Sequence, residues 1–141
     1  MLVNEIMSRD IVSVSPDESA LFASQLLARH NVGSLPVCSG GKIRGLVTDR
    51  DIVLRCVASE NDPKATPVKD IMTRNVMTVT PSHTLHDASL LMADRQVRRI
   101  PVVENDRLVG MLSLGDLAKN KKEDVEIADT LADISSIVRK K

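Results

Sequence analysis

The chain has no tryptophan, no tyrosine and a single phenylalanine, Phe22, among its 141 residues. Single-strand nucleic-acid binders usually stack bases on aromatic side chains, and this sequence has almost none to offer. The charge balance agrees, because 19 Lys+Arg and 19 Asp+Glu leave a formal net charge of zero. A nucleic-acid role is therefore disfavoured, and an anion site would need a local cluster of basic side chains.

Long apolar runs and cysteine motifs are also missing. No stretch approaches the roughly 20 apolar residues of a membrane span. The first residues, MLVNEIMSRD, lack the basic and apolar regions of a signal peptide. Cys38 and Cys56 have no CxxC spacing, so we expect two reduced, buried, small apolar side chains. These absences predict a cytoplasmic protein that does not enter the membrane.

Motifs for catalysis and metal binding are absent as well. The sequence contains no P-loop and no GxGxxG, and no Ser-His-Asp or Cys-His arrangement stands out. His83 and His86 lie three residues apart, but no third ligand follows at a useful spacing. We therefore expect no catalytic residues and no metal site, with both histidines at the surface.

What the sequence does contain is a tandem repeat. Residues 3–53 align with residues 68–118 without a gap, and 15 of these 51 positions are identical. An ungapped register of this length indicates duplication of a structural unit, and such units usually bury their apolar faces against each other. The predicted organisation is repeat 1 over 1–58, a polar linker over 59–67, repeat 2 over 68–119 and a tail over 120–141.

Each repeat has the same predicted order of elements. A proline ends the first strand, and Asp17 or Ser82 then fits the N-cap of a helix. Two aliphatic runs separated by turn-forming residues indicate a hairpin. The predicted elements of the two repeats are first strands over 11–14 and 76–79, helices over 19–30 and 84–95, hairpin strands over 35–38, 43–47, 100–103 and 109–112, and last helices from Asp49 and Leu114.

The tail carries a separate pattern. Apolar residues recur at helical spacing and predict an amphipathic helix with one apolar stripe. The stripe could cover the core or contact another subunit, and the sequence leaves both alternatives open. The residues of the stripe are Ile127, Leu131, Ile134 and Val138.

Each repeat ends its last strand with Gly, two aliphatic residues, a hydroxyl residue, two variable residues and Asp. We call Thr48 with Asp51 the Asp51 junction and Ser113 with Asp116 the Asp116 junction. The spacing fits a capping box, in which both side chains cap the helix that follows. It also fits ribose recognition, because a carboxylate can accept hydrogen bonds from two vicinal hydroxyls. The two functions are compatible, since the hydroxyl can cap the helix while the carboxylate faces a ligand.

The duplicated motifs, with hydrophobic-Pro-Val segments at 35–37 and 100–102, resemble a tandem pair of CBS (cystathionine-β-synthase-type) domains, called a Bateman module. The resemblance covers about residues 1–120. It implies an α+β fold of two β-α-β-β-α repeats packed sheet to sheet about a pseudo-twofold axis, here followed by a C-terminal helix. It also implies clefts that bind AMP, ADP or ATP, or else S-adenosylmethionine or NAD, in a regulatory module without enzymatic activity.

By this resemblance, the residues before the hydrophobic-Pro-Val strands line the clefts. Repeat 1 has Gly33 and Ser34 there, whereas repeat 2 has Arg98 and Arg99, whose guanidinium groups suit phosphate oxygens. The alternative is that these arginines are solvated surface residues. We expect the Asp51 junction, reached by the arginines, to be the stronger phosphate-bearing site. The Asp116 junction, lined by Gly33 and Ser34, is expected to be weaker or to prefer fewer phosphates.

Two hydroxyl residues and the partners complete the expectations. Ser15 and Thr80 precede the prolines, and the resemblance places them near the purine; alternatively, they are strand-end hydroxyls bonded to the backbone. The expected partners are an adenine nucleotide, a second copy in a homodimer and an unidentified regulated protein. The alternative function is an interaction or scaffold module that binds no ligand.

Overall fold

The structure is a computed structural model that describes residues 1–119. The predicted tail helix over 120–141 lies outside the described residues. One-turn 3-10 helices occur at Val3–Glu5 and Val68–Asp70, and a π turn follows α2 at Val53–Val57. The other elements are α1 (Ala20–His30), β1 (Ser34–Ser39), β2 (Lys42–Thr48), α2 (Asp49–Ile52), α3 (Leu85–Arg95), β3 (Arg99–Glu104), β4 (Arg107–Ser113) and α4 (Leu114–Ala118).

Both predicted hairpins are present, which confirms the α+β class. Strands β1 and β2 pair antiparallel, with Leu35 opposite Val47, and β3 is the hydrogen-bonded neighbour of β4. Two successive residues with positive φ form each turn, at 60° and 80° in the first hairpin and at 52° and 62° in the second. Such a pair is typical of type I′ turns, whose twist matches that of the flanking strands. The turn residues are Gly40, Gly41, Asn105 and Asp106.

The predicted first strands, over 11–14 and 76–79, are wrong as continuous strands. Each stretch forms one parallel bridge within the described chain, from Val14 to Val37 and from Val79 to Val102. A proline follows two residues later in both repeats. Because proline has no N–H to donate, it ends the pairing soon after it starts.

The predicted N-caps at Asp17 and Ser82 are also wrong. Ser19 Oγ and Thr84 Oγ1 are the caps, and each accepts a hydrogen bond of 3.0 Å from the backbone N–H three residues on. Asp17 instead donates its backbone N–H to Ser15 Oγ at 3.3 Å. The caps thus lie two residues beyond the predicted positions, and the helices begin directly after them at Ala20 and Leu85, one residue later than predicted.

The described chain forms two compact units, and neither coincides with one sequence repeat. Unit 1 contains Met1–Ile11, Met77–Asn105 and the described residues from Val109 onward; unit 2 contains Val12–Val76 with Asp106–Leu108. The first residues of each repeat therefore belong to the unit that the rest of the other repeat forms. We call residues 3–11 the first opening segment and residues 68–76 the second. The predicted repeat boundaries stay a prediction.

The second opening segment is part of the core of unit 2. Val68, Ile71 and Met72 are buried in one cluster with apolar side chains of α1, β1 and β2. Val68 N–H donates to Glu18 O at 2.8 Å, and Thr73 and Leu46 exchange two backbone hydrogen bonds of 2.8 and 2.9 Å. Each fully buried aliphatic side chain contributes about 1.5–3 kcal/mol, so this segment is a substantial part of the stability of unit 2.

The first opening segment has the matching place in unit 1. Val3 and Met7 are buried with apolar side chains of α3, β3 and β4. Val3 N–H donates to His83 O at 2.9 Å, while Ser8 and Met111 exchange backbone hydrogen bonds of 2.8 and 3.0 Å. The two opening segments therefore make equivalent contacts, each with the unit to which it belongs.

These contacts explain the glycine of each junction motif. A Cβ at Gly45 would lie 2.5 Å from Thr73 O, and one at Gly110 would lie 2.6 Å from Met7 Sδ. At Gly45 the nearest atom is a backbone oxygen, so only a residue without a side chain lets the second opening segment approach β2 so closely. At Gly110 the nearest atom belongs to a flexible side chain, so packing requires this glycine less strictly.

Cysteine burial is partly as predicted. Cys56 is fully buried and Cys38 is half-buried, and both are free thiols. Desolvation by this burial raises the pKa of the Cys38 thiol above its usual value. None of the helices within residues 1–119 combines the length and apolarity that a membrane crossing requires. The cytoplasmic location stays a prediction.

Candidate functional site

The Asp51 junction is a closed capping box at the start of α2. Asp51 N–H donates to Thr48 Oγ1 at 3.0 Å, and Thr48 N–H donates to Asp51 Oδ2 at 3.0 Å. Thr48 is extended, with φ −115° and ψ 163°, so its side chain can turn back over the first helical turn. Two backbone donors that the short helix cannot satisfy internally are satisfied here.

The Asp116 junction repeats this arrangement at the start of α4. Asp116 N–H donates to Ser113 Oγ at 3.0 Å, and Ser113 N–H donates to Asp116 Oδ2 at 2.8 Å. The capping function predicted for both junctions is confirmed. In each box the cap uses Oδ2 of the carboxylate, so it leaves Oδ1 for another donor.

The surroundings of the two carboxylates differ. Asp51 is buried, with only 8% of the residue exposed, and Arg55 Nη1 lies 3.7 Å from its Oδ1. Thr73 Oγ1 lies 3.5 Å from both carboxylate oxygens. Asp116 is half-buried, and among residues 1–119 its carboxylate has no partner besides the Ser113 N–H.

The segments before β1 and β3 lie beside the junction of their own unit. Gly33 O accepts a hydrogen bond of 3.0 Å from Asp49 N–H, directly after Thr48. Ser34 is the strand partner of Thr48. These contacts bring the four predicted residues of unit 2 (Gly33, Ser34, Thr48 and Asp51) into one neighbourhood.

Unit 1 has an equivalent neighbourhood with a different charge. Arg98 O accepts a hydrogen bond of 2.8 Å from Leu114 N–H, directly after Ser113. Arg98 is exposed and Arg99 is half-buried at the first position of β3. Two guanidinium groups thus stand where unit 2 has a glycine and a serine. The pairing of these arginines with the Asp51 junction stays a prediction.

Ser15 and Thr80 form local hydrogen bonds. Ser15 Oγ accepts the Asp17 N–H described above. Thr80 donates its N–H to His83 Nδ1 at 2.7 Å, and its hydroxyl lies 3.1 Å from the same ring nitrogen. Ser15 Oγ thus bonds to the backbone, as in the alternative, whereas the Thr80 hydroxyl contacts a side chain. The position of both residues near a purine stays a prediction.

Three residues near the candidate site were missed by sequence reasoning: Arg55, Thr73 and His83. Arg55 follows Asp51 by four residues, and this helical spacing is a known signal for an ion pair. Thr73 lies 22 residues from Asp51, and no local pattern connects them. His83 contacts Thr80 through a turn whose geometry the sequence does not specify.

No metal site is evident in the part of the chain that the structure describes. No three side chains of His, Cys, Asp or Glu come together there in a way that could hold an ion. His83 is half-buried and engages Thr80 through Nδ1, whereas His86 is exposed. The surface position predicted for both histidines therefore holds for His86 and is only partly right for His83.

Comparison with known proteins agrees with the repeat and the fold. Residues 3–57 and 68–123 each match the CBS domain family. The CBS domain-containing protein YhcV of Bacillus subtilis is 40% identical over 133 residues, which are 94% of this chain and 94% of YhcV.

Two solved structures with bound ligands have the same fold. The CBS domain pair of protein MJ0100, in complex with 5-methylthioadenosine and S-adenosyl-L-methionine, is 27% identical with a TM-score of 0.75; the match covers 84% of this chain and 94% of that one. CBSX2 in complex with AMP is 30% identical with a TM-score of 0.74; the match covers 84% of this chain and 93% of that one.

Proposed function

The chain belongs to the CBS domain family, and from this premise we propose that it is a regulatory module that binds an adenosyl ligand. The ligand class is AMP, ADP or ATP, with S-adenosylmethionine or NAD as further members. CBSX2 binds AMP, and MJ0100 binds S-adenosyl-L-methionine and 5-methylthioadenosine. All three ligands carry an adenosine group, which makes this group the proposed common determinant.

One observation carries the proposal: each junction retains a carboxylate oxygen that its capping box does not use. Asp51 Oδ1 has only contacts of 3.5 Å or longer, and Asp116 Oδ1 has no partner among residues 1–119. A ribose presents two vicinal hydroxyls, and a carboxylate can accept both. Hydrogen bonds to a charged acceptor contribute about 1.5–3 kcal/mol each, enough to select a ribose.

Each of the remaining candidate residues is proposed to recognise a different part of the ligand. Arg98 and Arg99 supply the positive charge for phosphate, because a guanidinium fork matches phosphate oxygens. Gly33 and Ser34 leave space and one hydroxyl at the equivalent position of unit 2. Ser15 and Thr80 lie near the purine, where aliphatic side chains must replace the aromatic residues that the sequence lacks.

Signalling requires a change that depends on the ligand. A ligand shifts a conformational or assembly equilibrium only if it binds one arrangement better than the other. The proposed readout is a homodimer or a regulated protein that recognises the liganded form. No reaction is assigned to the chain, so its output is a change of structure.

Thermal unfolding with and without nucleotide tests the proposal. A ligand at a hundredfold excess over its Kd stabilises the native protein by about 2.7 kcal/mol. AMP or ATP should therefore raise the Tm, and Asp51→Ala with Asp116→Ala together should abolish the shift. Asp70→Ala is a matched control, because Asp70 is exposed and lies outside both junctions. No shift with any adenosyl compound would contradict the proposal.

A second candidate function is an interaction or scaffold module without a ligand. Exposed apolar side chains favour it, because the π turn after α2 leaves Val53, Leu54 and Val57 exposed by 54%, 48% and 57%. Apolar side chains that cluster on a surface often mark a protein contact. Two results together would support this function. The Tm would be unchanged by every nucleotide tested, and the Leu54→Lys variant would self-associate less than the wild type.

A further inference from the structure

We propose that Arg55 lowers the affinity of the Asp51 junction for a vicinal diol, because it competes with the diol for the Asp51 carboxylate. This inference rests on the proposed function and names the residue that makes the two junctions unequal. Arg55 does not touch the ligand in this proposal. It acts through Asp51, as a residue that determines which junction is filled first.

The position of Arg55 is fixed from two sides. Its Nη1 donates hydrogen bonds to Ile71 O at 3.0 Å and to Met72 O at 3.3 Å. The same nitrogen lies 3.7 Å from Asp51 Oδ1. Since both carbonyls belong to the second opening segment, the guanidinium is held beside the carboxylate by the backbone.

The carboxylate has little room for a further partner. The Asp51 side chain is only 10% exposed, and its Oδ2 already accepts the Thr48 N–H. Thr73 Oγ1 lies 3.5 Å from each carboxylate oxygen. A diol that donates to Oδ1 approaches an oxygen that Arg55 and Thr73 already contact at 3.7 and 3.5 Å. In this proposal the diol therefore competes with these weak contacts.

The Asp116 junction has no such competitor among the described residues. In the repeat register, Arg55 aligns with Asn120, so the sequence has no positive charge at that position. Thr73 aligns with Ser8, whose hydroxyl forms no hydrogen bond with Asp116 within residues 1–119. Among residues 1–119, the same capping box thus occurs with a neighbouring cation at Asp51 and without one at Asp116.

The direction of the effect follows from charge and exposure. A neighbouring cation makes a carboxylate a weaker acceptor for neutral hydroxyl donors, and displacing it costs free energy. Arg55 is 53% exposed, so solvent screens the pair and the effect is modest. We expect a change of about three- to tenfold in affinity, in line with the small energies of exposed ion pairs.

The test uses adenosine, which has the diol and no phosphate, with calorimetric titration of the full chain. In an Asp116→Ala background the Asp51 junction alone remains, and adding Arg55→Gln should tighten adenosine binding about three- to tenfold. Arg55→Lys keeps the cation and should give no gain. In an Asp51→Ala background, Arg55→Gln should leave the affinity unchanged.

A second probe separates competition from a general change of structure. 2′,3′-Dideoxyadenosine lacks the diol, so Arg55→Gln should not improve its binding. Salt gives a measurement without a change at Arg55: in Asp116→Ala protein, adenosine affinity should rise from 50 to 500 mM NaCl because screening weakens the ion pair. If Arg55→Gln does not fold, Arg55→Met and this salt series replace it.

The outcomes distinguish the two proposals. Adenosine binding by the wild-type chain, with equal or weaker binding by Asp116→Ala/Arg55→Gln than by Asp116→Ala, overturns the competition and leaves the proposed function intact. An equal gain with the dideoxy compound overturns it as well. If neither the wild type nor any variant binds adenosine or AMP, the proposed function fails and the inference fails with it.

Discussion

The two junctions have the same capping box and different neighbours. Both boxes have hydrogen bonds of 2.8 to 3.0 Å between hydroxyl, carboxylate and backbone. Asp51 is almost fully buried beside Arg55 and Thr73, whereas Asp116 is half-buried with its second oxygen unpaired among residues 1–119. The local motif is thus the same in both copies. The copies differ because of Arg55 and Thr73, which lie 4 and 22 residues after Asp51.

The comparison shows that two roles of the motif can be separated: packing and capping within the fold, and contact with a ligand. The capping box stabilises the helix start in both units, and the glycine gives room for the opening segment, whatever ligand is present. The chemistry available to a ligand depends on residues outside the motif. A motif match alone therefore predicts two sites without predicting which one is stronger.

The largest expected effect separates the two motif glycines. Gly45→Ala places a Cβ 2.5 Å from a backbone oxygen, whereas Gly110→Ala meets mainly the flexible Met7 side chain. Overpacking costs about 1–3 kcal/mol, so we expect about 3 kcal/mol for Gly45→Ala and about 1 kcal/mol for Gly110→Ala. Urea unfolding of both variants measures this difference. Equal losses in the free energy of unfolding would show that both opening segments move aside equally easily for the added methyl group.

The next effect sharpens the contrast in phosphate recognition. Arg98→Ala with Arg99→Ala should weaken ATP binding about tenfold, or 1.4 kcal/mol, and adenosine binding by less than twofold. A double-mutant cycle with Asp51→Ala and with Asp116→Ala then shows which carboxylate is coupled to the arginines. The sequence predicts coupling to Asp51. Coupling to Asp116 alone would refute that pairing.

A smaller effect compares the caps of α1 and α3. Ser19→Ala and Thr84→Ala should each lose about 1 kcal/mol of stability, because each removes the acceptor for a backbone N–H. Asp17→Ala and Ser82→Ala are the matched controls and should stay within about 0.5 kcal/mol, since neither residue caps the helix. Denaturant midpoints test this directly. A larger loss of stability in the control variants would mean that Asp17 and Ser82 cap the helices, as predicted from the sequence.

The smallest effect concerns an ion pair present in one unit only. Lys69 Nζ lies 3.1 Å from Asp17 Oδ1, and the aligned residues of the other unit are Asn4 and Ser82. Both side chains are exposed, so a Lys69→Met and Asp17→Asn cycle should give a coupling of about 0.3 kcal/mol. This coupling should vanish in 1 M salt. A coupling above 1 kcal/mol would mean that the pair fixes the second opening segment.

Sequence patterns predicted the elements that depend on neighbouring residues. The hairpins follow from aliphatic runs around Gly40-Gly41 and Asn105-Asp106, and the last helices follow from the Thr48 and Ser113 boxes. The N-caps were misplaced by two residues, although the helix starts were within one residue, because Asp17 and Ser82 are chemically as good as the real caps. Capping chemistry alone does not reveal how many residues the preceding turn uses.

The exchange of the opening segments could not be predicted from local pattern. Val3 and Met7, like Val68 and Met72, are apolar at a helical spacing, which indicates burial but not the partner. Ser8 pairs with Met111 of β4, which lies about a hundred residues later in the chain, and no local sequence signal connects the two residues. The ion pair of Arg55 with Asp51 could have been predicted from their spacing of four residues. The hydrogen bonds of Arg55 to Ile71 and Met72 could not.

The exchanged segments also set an order of events during synthesis. Nearly all of unit 2 is encoded before residue 77, so its core can close once that stretch has left the ribosome. Unit 1 contains the earliest residues of the chain and needs β4, which is made about a hundred residues later. The contact of Met7 with Gly110 can therefore form only after β4 has been made. A gene cut between the repeats would encode two fragments, each with the opening segment that the other requires.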